Sequence, residues 1–183
     1  MSKIVRKVVP VALLFFFFLS PSCSSQKTPP PKKKDNPTTI NWLKYDDGLK
    51  LAKKENKKIM VFFYTNWCGY CRRMDKYTYN DDEVKKILAE NFISVRVNGE
   101  SKDKVSVDKD KITERELASK YVMRGYPTTW FLEPDGEKLS PMIGYRSAEE
   151  FATVLTYVAG EWYKKISFEE YLKKKDELTK SKK

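Results

Sequence analysis

Apolar and polar positions alternate along the chain in a way that predicts a mixed α/β domain. The run Ile59 to Tyr64 is short and continuously apolar, which is typical of a strand buried on both faces. Alternation from Phe92 to Val97 predicts a second strand. The segments Thr129 to Glu133 and Lys138 to Gly144 flank a Pro-Asp-Gly turn and predict a hairpin. A sheet of at least four strands is therefore expected.

Helices are predicted where capping residues precede amphipathic segments. The apolar residues from Trp42 to Ala52 suit a helix that ends near Asn56. Capping boxes, in which Ser, Thr or Asn is followed three residues later by Glu, begin helices over residues 80–91, 113–121 and 147–163. The resulting order is β-α-β-α-β-β-α preceded by a helix. We assign this α/β domain to residues 40–165.

Two charged segments are less regular. Residues 98–112 are polar, and we interpret them as a solvated surface loop, with a partner-contacting loop as the alternative. Residues 166–183 begin with another capping box and are predicted to form a helical tail packed on the domain; the alternative is a frayed, charged tail. The apolar residues expected on one side of this helix are Phe168, Tyr171, Leu172 and Leu178.

The beginning of the chain has the composition of an export segment. Basic residues precede the apolar run Val8 to Leu19, and the small residues Ser20-Pro21-Ser22 follow it, so residues 1–22 are predicted to be a signal peptide. The run is shorter than the roughly 20 residues that a membrane-spanning helix requires. Residues 23–39 are rich in Lys and Pro and are interpreted as an extended linker, or alternatively as a merely disordered terminus.

Cys23 resembles the lipidated cysteine of bacterial lipoproteins, because it directly follows the predicted cleavage site. One position departs from that pattern, since Ser20 stands where lipoproteins carry Leu or a similar residue. The alternative is ordinary cleavage that leaves an unmodified cysteine. We expect a protein of the bacterial periplasm or cell envelope that is anchored to a membrane by acyl chains on Cys23.

The net charge of +11 lies mainly at the two ends of the chain. Residues 40–163 carry only +1, whereas residues 1–39 carry +6 and residues 164–183 carry +4. This distribution favours weak attraction to anionic lipid headgroups, or simple solubility, over a basic groove for DNA. We therefore expect no nucleic-acid partner.

Two of the three cysteines, Cys68 and Cys71, are separated by two residues and follow shortly after the strand Ile59 to Tyr64. Charged residues from Arg72 onward suit a helix, which places Cys68 at or just before its N-terminus. Backbone N–H groups and the helix dipole stabilise a thiolate there. Such a pair can perform thiol–disulfide exchange, in which an exposed Cys68 attacks a partner's disulfide and Cys71 resolves the mixed disulfide.

The same spacing also occurs in haem-attachment and zinc motifs. The chain has no histidine, which excludes C-x-x-C-H haem attachment, and Cys23 is the only other cysteine, which excludes a four-cysteine zinc site within one chain. A structural disulfide, or a metal bridge between two molecules, remains the alternative for Cys68 and Cys71. We expect no metal and no external cofactor beyond a redox-active disulfide.

Two separate motifs resemble those of the thioredoxin superfamily. Trp67-Cys68-Gly69-Tyr70-Cys71 is similar to its W-C-x-x-C active site, and Gly125-Tyr126-Pro127-Thr128 resembles its cis-proline loop, which faces the cysteines. The stretch Asp75 to Val84 resembles the thioredoxin-like periplasmic reductases, which include the C-terminal domain of the electron-transfer protein DsbD. Over residues 40–159 the resemblance implies a thioredoxin fold, with a central mixed β-sheet flanked by helices. The helix predicted before the first strand and the helical tail predicted over residues 166–183 would add an extra N-terminal helix and a C-terminal helical extension to it.

The resemblance also implies roles for side chains around the cysteines. Trp67 would shape the surface on which partners dock, although an ordinary core aromatic is the alternative. The peptide bond before Pro127 is predicted to be cis. Asp75 would influence the cysteines, with a solvated carboxylate as the alternative. The residues expected to shape the active site are Trp67, Gly69, Tyr70, Tyr126, Pro127, Thr128 and Asp75.

One position departs from the superfamily. Phe62 lies six residues before the first cysteine, where thioredoxins carry a buried Asp, so Cys71 would lose its proton by another route, such as Asp75 or water. The expected function is reduction of disulfides in exported proteins, with a membrane thiol protein as electron donor or acceptor. The alternatives are a disulfide oxidase or isomerase, and a non-catalytic binding module.

Overall fold

A four-stranded mixed sheet forms the centre of the fold. The computed structural model describes residues 39–107, 110–121 and 124–180. Strand β1 (Lys58–Tyr64) runs parallel to β2 (Phe92–Asn98) and antiparallel to β5 (Thr128–Leu132), which pairs antiparallel with β6 (Lys138–Ile143). The order β2-β1-β5-β6 confirms the predicted central mixed sheet and the predicted hairpin.

Six α-helices surround the sheet within the described ranges. Helix α2 continues directly into a π-helical turn over Met74–Thr78, and a 3-10 turn over Trp162–Lys164 follows α5. The extra N-terminal and C-terminal helices are confirmed as α1 and α6. The six helices are α1 (Tyr45–Glu55), α2 (Gly69–Arg73), α3 (Asp82–Asn91), α4 (Glu114–Lys120), α5 (Ala148–Ala159) and α6 (Phe168–Lys180).

The capping boxes predicted at Thr113 and Ser147 are both present. Two predicted helix ends are wrong. Helix α3 is capped by Asp81 rather than Asn80, because the Asp81 carboxylate accepts hydrogen bonds from the first-turn N–H groups. Helix α5 ends at Ala159 rather than at residue 163, since the chain turns through the left-handed region at Glu161 (φ 54°).

Strand β1 carries the core because its side chains alternate between the two faces of the sheet. Met60 and Phe62 pack in the cluster that contains the two cysteines, whereas Val61 and Phe63 pack in a second cluster with residues of α1 and α4. All four side chains are fully buried. Each large apolar side chain buried in this way contributes about 1.5–3 kcal/mol to the free energy of unfolding. Strand β1 is therefore a stable base for the segment that follows it.

Residues 98–112 are not simply a loop. They contain most of a second, two-stranded sheet, formed by β3 (Lys104–Val107) and β4 (Asp110–Thr113). Val105 is buried and lies opposite Ile112, and the Asp46 carboxylate of α1 accepts the Ser106 N–H at 2.8 Å. The prediction of a solvated loop is therefore wrong, because an apolar pair and a long-range hydrogen bond order this segment.

Helix α6 packs on α5 through aromatic side chains. The Tyr157 ring lies 5.1 Å from that of Phe168 and 5.2 Å from that of Tyr171, between centroids. The predicted packed C-terminal helix is confirmed at these positions. Leu172 is 38% exposed, so its predicted place on the packed side is wrong. The side chain of Leu178 lies outside the described residues.

The buried side chain of Lys58 links the segment after α5 to the sheet by ion pairs. Lys58 Nζ, at the start of β1, lies 2.8 Å from carboxylate oxygens of both Glu133 and Glu161. Burial opposes the positive charge, but the two hydrogen bonds outweigh it and raise the pKa of Lys58. The hydrogen bonds from Lys58 and Lys164 lower the pKa of Glu161 to about 2. The cluster of Lys58, Glu133 and Glu161 therefore stays fully charged at neutral pH.

The predicted export segment falls outside the described part of the chain. The signal peptide, Cys23 and the linker up to residue 38 are not covered. Within residues 39–107, 110–121 and 124–180, no helix combines the length and the apolar character needed to cross a bilayer.

Candidate active site

Cys68 and Cys71 are joined by a disulfide at the point where β1 leads into α2. Cys68 is the N-cap residue of α2, which confirms its predicted place at a helix N-terminus. Its sulfur accepts a hydrogen bond from the Cys71 N–H at 3.0 Å. A donor aimed at this sulfur favours the charged form of a thiol, so the local backbone is arranged to stabilise a Cys68 thiolate.

Neither cysteine is freely exposed in the disulfide form. Cys68 is 3% exposed and Cys71 is 1% exposed, so the prediction of an exposed Cys68 is wrong. Both cysteines pack in the same cluster as Met74 and other core residues. By contrast, Trp67 and Tyr70 are 66% and 61% exposed. An approaching protein would therefore meet these two rings before it reached the sulfur atoms.

Trp67 is a surface residue, which excludes the alternative that it is an ordinary core aromatic. Its ring contacts Tyr126 edge to face, with 6.2 Å between centroids. Its indole Nε1–H donates a hydrogen bond to Glu100 Oε1 at 2.9 Å. The contact between Trp67 and Tyr126 brings the W-C-x-x-C segment and the cis-proline loop together.

The cis-proline loop is held by hydrogen bonds to its backbone carbonyl groups. The Tyr126–Pro127 peptide bond is cis, as predicted. The Pro127 carbonyl accepts the Gly144 N–H at 2.8 Å, and the Thr128 hydroxyl donates to the Gly125 carbonyl, also at 2.8 Å. Pro127 and Thr128 are buried, whereas Tyr126 is half-buried. The loop therefore presents Tyr126 outward and keeps its proline inside.

Three residues that sequence reasoning did not single out complete this surface. A Cβ atom on Gly99 would lie 1.8 Å from Tyr126 Oη, so any other residue there would displace that ring. Glu100 accepts the hydrogen bond from Trp67, and Tyr145 lies 6.3 Å from the Tyr70 ring. A glycine directly after a strand was the only local signal for any of these contacts.

Asp75 is held by a cation. Its Oδ2 lies 2.9 Å from Arg96 Nη2, and the Arg96 guanidinium lies over the rings of Tyr64, at 4.5 Å, and Trp42, at 5.0 Å. The alternative of a free, solvated carboxylate is therefore wrong. The influence of Asp75 on the cysteines stays a prediction, and any such influence has to be exerted by an ion pair rather than by a lone negative charge.

Phe62 fills the position at which thioredoxins carry a buried acid. It is fully buried and contacts the Tyr79 ring edge to face at 4.9 Å. Burial raises the pKa of Tyr79, so its hydroxyl stays protonated and cannot accept a proton from Cys71. In the part of the chain that the structure describes, the one buried carboxylate is Glu114, which accepts the Asn98 N–H.

The described residues contain no group of three or more Cys, Asp and Glu side chains that could hold a metal ion. The redox group of the site is the disulfide itself.

Comparison with known proteins identifies the family. The model of the thioredoxin-like domain family matches residues 45–159. The thiol:disulfide interchange protein DsbD of Colwellia psychrerythraea is 28% identical over 109 residues, which make up 58% of this chain and 17% of that protein. The chain thus spans about a sixth of the DsbD proteins that it matches.

Solved structures of thioredoxin-fold proteins are also similar to this chain. A thioredoxin-fold protein from Helicobacter pylori is 26% identical, with a TM-score of 0.58 and coverage of 68% of this chain and 87% of that chain. A thioredoxin from Thermus thermophilus is 27% identical, with a TM-score of 0.54 and coverage of 66% and 87%. The thioredoxin fold and the Cys68–Cys71 disulfide are together those of a thiol–disulfide oxidoreductase. The chain belongs to the family of thioredoxin-like domains, within the thioredoxin superfamily.

Proposed function

We propose that the protein is a thiol–disulfide reductase in which Cys68 is the nucleophile and Cys71 is the resolving cysteine. The observation that carries the proposal is the position of Cys68 at the N-terminus of α2, where its sulfur accepts the Cys71 N–H at 3.0 Å. This donor lowers the pKa of a thiol, and the thiolate is the species that attacks disulfides.

The reaction runs in two exchanges. The Cys68 thiolate attacks one sulfur of a partner's disulfide, so that a Cys68–partner bond forms, the partner's S–S bond breaks and the departing partner thiolate takes up a proton. The Cys71 thiol then releases its proton and attacks Cys68 Sγ, which forms the Cys68–Cys71 disulfide and frees the second partner thiol. The partner gains two electrons and two protons, and the cysteine pair is oxidised.

The proton of Cys71 leaves to water in this scheme. Phe62 cannot accept it, Tyr79 stays protonated, and the Asp75 carboxylate is engaged by Arg96. Cys71 is also 1% exposed, so water reaches it only when the surrounding side chains move. Resolution of the mixed disulfide is therefore the step that we expect to limit the rate.

The reducing direction rests on the resemblance of the stretch Asp75 to Val84 to the thioredoxin-like periplasmic reductases. The similar DsbD proteins are named for thiol:disulfide interchange. A membrane thiol protein would restore the dithiol after each cycle by donating two electrons. The test uses the Cys23→Ala chain, which leaves a single cysteine pair, and compares reduction of insulin by dithiothreitol with and without the protein. Acceleration of insulin reduction supports a reductase. Oxidation of a reduced, unfolded substrate without such acceleration would indicate an oxidase instead.

The protein acts outside the cytoplasm in this proposal, anchored to a membrane of the cell envelope by acyl chains on Cys23. The support is the order of basic, apolar and small residues before Cys23. Each methylene of a buried acyl chain contributes about 0.8 kcal/mol to membrane binding. We expect Cys23→Ala to move the protein from the membrane fraction to the soluble fraction, with Ser24→Ala as the matched control. Unchanged membrane association of Cys23→Ala would contradict the anchor.

A further inference from the structure

We propose that the partner docks through a polypeptide segment that carries an acidic residue beside its disulfide cysteine. The inference rests on the proposed function and names the class of substrate that the site takes. The acidic residue is received on the side of the site formed by Tyr70, Arg73, Tyr145 and Arg146, called here the basic side.

The basic side is a continuous surface next to the cysteines. The Tyr70 ring, which precedes Cys71, lies 6.3 Å from the Tyr145 ring, and the Arg73 guanidinium lies 4.8 Å from the centroid of Tyr145. Arg146 follows directly in the chain, and its carbonyl accepts the Thr78 hydroxyl at 2.6 Å. Tyr145 thus joins the end of α2 to the turn that begins α5, and the two arginines share this side.

Arg73 of the basic side forms no salt bridge within the described part of the chain, whereas Arg146 interacts electrostatically with Glu150. Arg73 is exposed, and Arg146 Nη1 donates to the Tyr145 carbonyl rather than to a carboxylate. Two carboxylates near this side have other partners, since Asp75 pairs with Arg96 and Glu150 accepts the Ser147 N–H as part of the α5 cap. An incoming carboxylate could therefore pair with the Arg73 guanidinium.

The opposite side of the cysteines, around Trp67, carries a carboxylate as well as positive charges. Glu100 accepts the hydrogen bond from Trp67, and both Glu100 and Arg115 act electrostatically on the neighbouring Tyr126. Arg72 also lies near this side, because its Nη1 donates to the carbonyl of Asn66, but an incoming acid would meet the Glu100 carboxylate here. Its exposed indole instead offers area for an apolar side chain of the partner. Charge complementarity therefore assigns the acidic residue to the basic side.

The test compares three short peptides, each with one intramolecular disulfide, that differ only in whether Glu, Gln or Lys flanks the cysteine. Rates of reduction by the reduced Cys23→Ala chain are divided by the rate for 2-hydroxyethyl disulfide, which is neutral. We expect the Glu peptide to react about tenfold faster than the Lys peptide at low ionic strength. At about 0.5 M salt the difference should fall to within about twofold, because salt screens exposed charges.

A matched pair of variants tests whether Arg73 causes the preference for the Glu peptide. Arg73→Gln should reduce the Glu-to-Lys rate ratio about threefold, whereas Lys53→Gln, which removes an exposed positive charge from α1, should leave it unchanged. Equal normalised rates for the three peptides, or equal ratios for the two variants, would overturn the docking inference while reduction of 2-hydroxyethyl disulfide still supports the reductase. Failure to reduce any of these disulfides would overturn the reductase itself, and the docking inference with it.

Discussion

Cys68→Ser is expected to lower the rate of insulin reduction by at least about a thousandfold, to the rate of dithiothreitol alone. A hydroxyl group in the place of the Cys68 sulfur does not ionise near neutral pH and cannot form a disulfide. The serine keeps the N-cap position, because its oxygen can accept the Cys71 N–H as the sulfur does. The loss should therefore occur without a large loss of folding stability.

The companion variant Cys71→Ser should behave differently. Cys68 still attacks a partner, but no second thiol resolves the bond, so mixed disulfides accumulate and appear as reducible adducts on non-reducing gels. Both variants are made in the Cys23→Ala background so that no other thiol competes. Retained insulin reduction by Cys68→Ser, together with no adduct for Cys71→Ser, would point to the non-catalytic binding module.

Phe62→Ala is expected to lower the free energy of unfolding by about 3–5 kcal/mol, because it empties a fully buried position in the cluster that holds the cysteines. The aromatic contact with Tyr79 is lost at the same time. Phe62→Leu is the matched control, since it keeps most of the apolar volume and should cost less than about 1.5 kcal/mol. Urea unfolding followed by fluorescence measures both values.

Activity separates the two possible roles of Phe62. If it only fills space, the folded Phe62→Leu protein should reduce insulin within about threefold of the unsubstituted rate. A loss of less than about 1 kcal/mol for Phe62→Ala would contradict the packing role. A loss of activity in Phe62→Leu beyond tenfold, with the fold intact, would show that the aromatic ring itself contributes to the chemistry.

The central sheet was predictable from sequence because its signals are local. Ile59 to Tyr64 is a continuous apolar run, and the Pro-Asp-Gly turn lies between two strand-like segments. In the capping boxes at Thr113 and Ser147, the residues whose hydrogen bonds begin the helix likewise lie within four consecutive positions. Patterns of this range need no knowledge of the tertiary structure.

The sheet formed by β3 and β4 was missed for the opposite reason. Lys104 to Val107 does alternate polar and apolar residues, but the segment is dominated by charge. Its order depends on the pairing of Val105 with Ile112 and on a carboxylate of α1, Asp46, which is far away in the chain. Such support becomes visible only when distant segments are brought together.

The candidate active site likewise has features that were predictable from local sequence and features that were not. The motifs around Cys68 and Pro127 are contiguous and were recognisable. The hydrogen bond from Trp67 to Glu100, the space that Gly99 leaves for Tyr126 and the cation that holds Asp75 all join separate elements, and they were not foreseen. The burial of Cys68 was also missed, because it depends on how the neighbouring elements pack around α2.

The reduction potential of the Cys68–Cys71 pair tests the central claim most directly. The purified Cys23→Ala chain would be equilibrated with glutathione or dithiothreitol buffers, and the fraction of dithiol measured by thiol alkylation. A reductase predicts a potential near or below about −230 mV, in the range between thioredoxins and glutaredoxins. A potential near about −120 mV would make the protein an oxidant, and the absence of a reversible couple would contradict a redox function altogether.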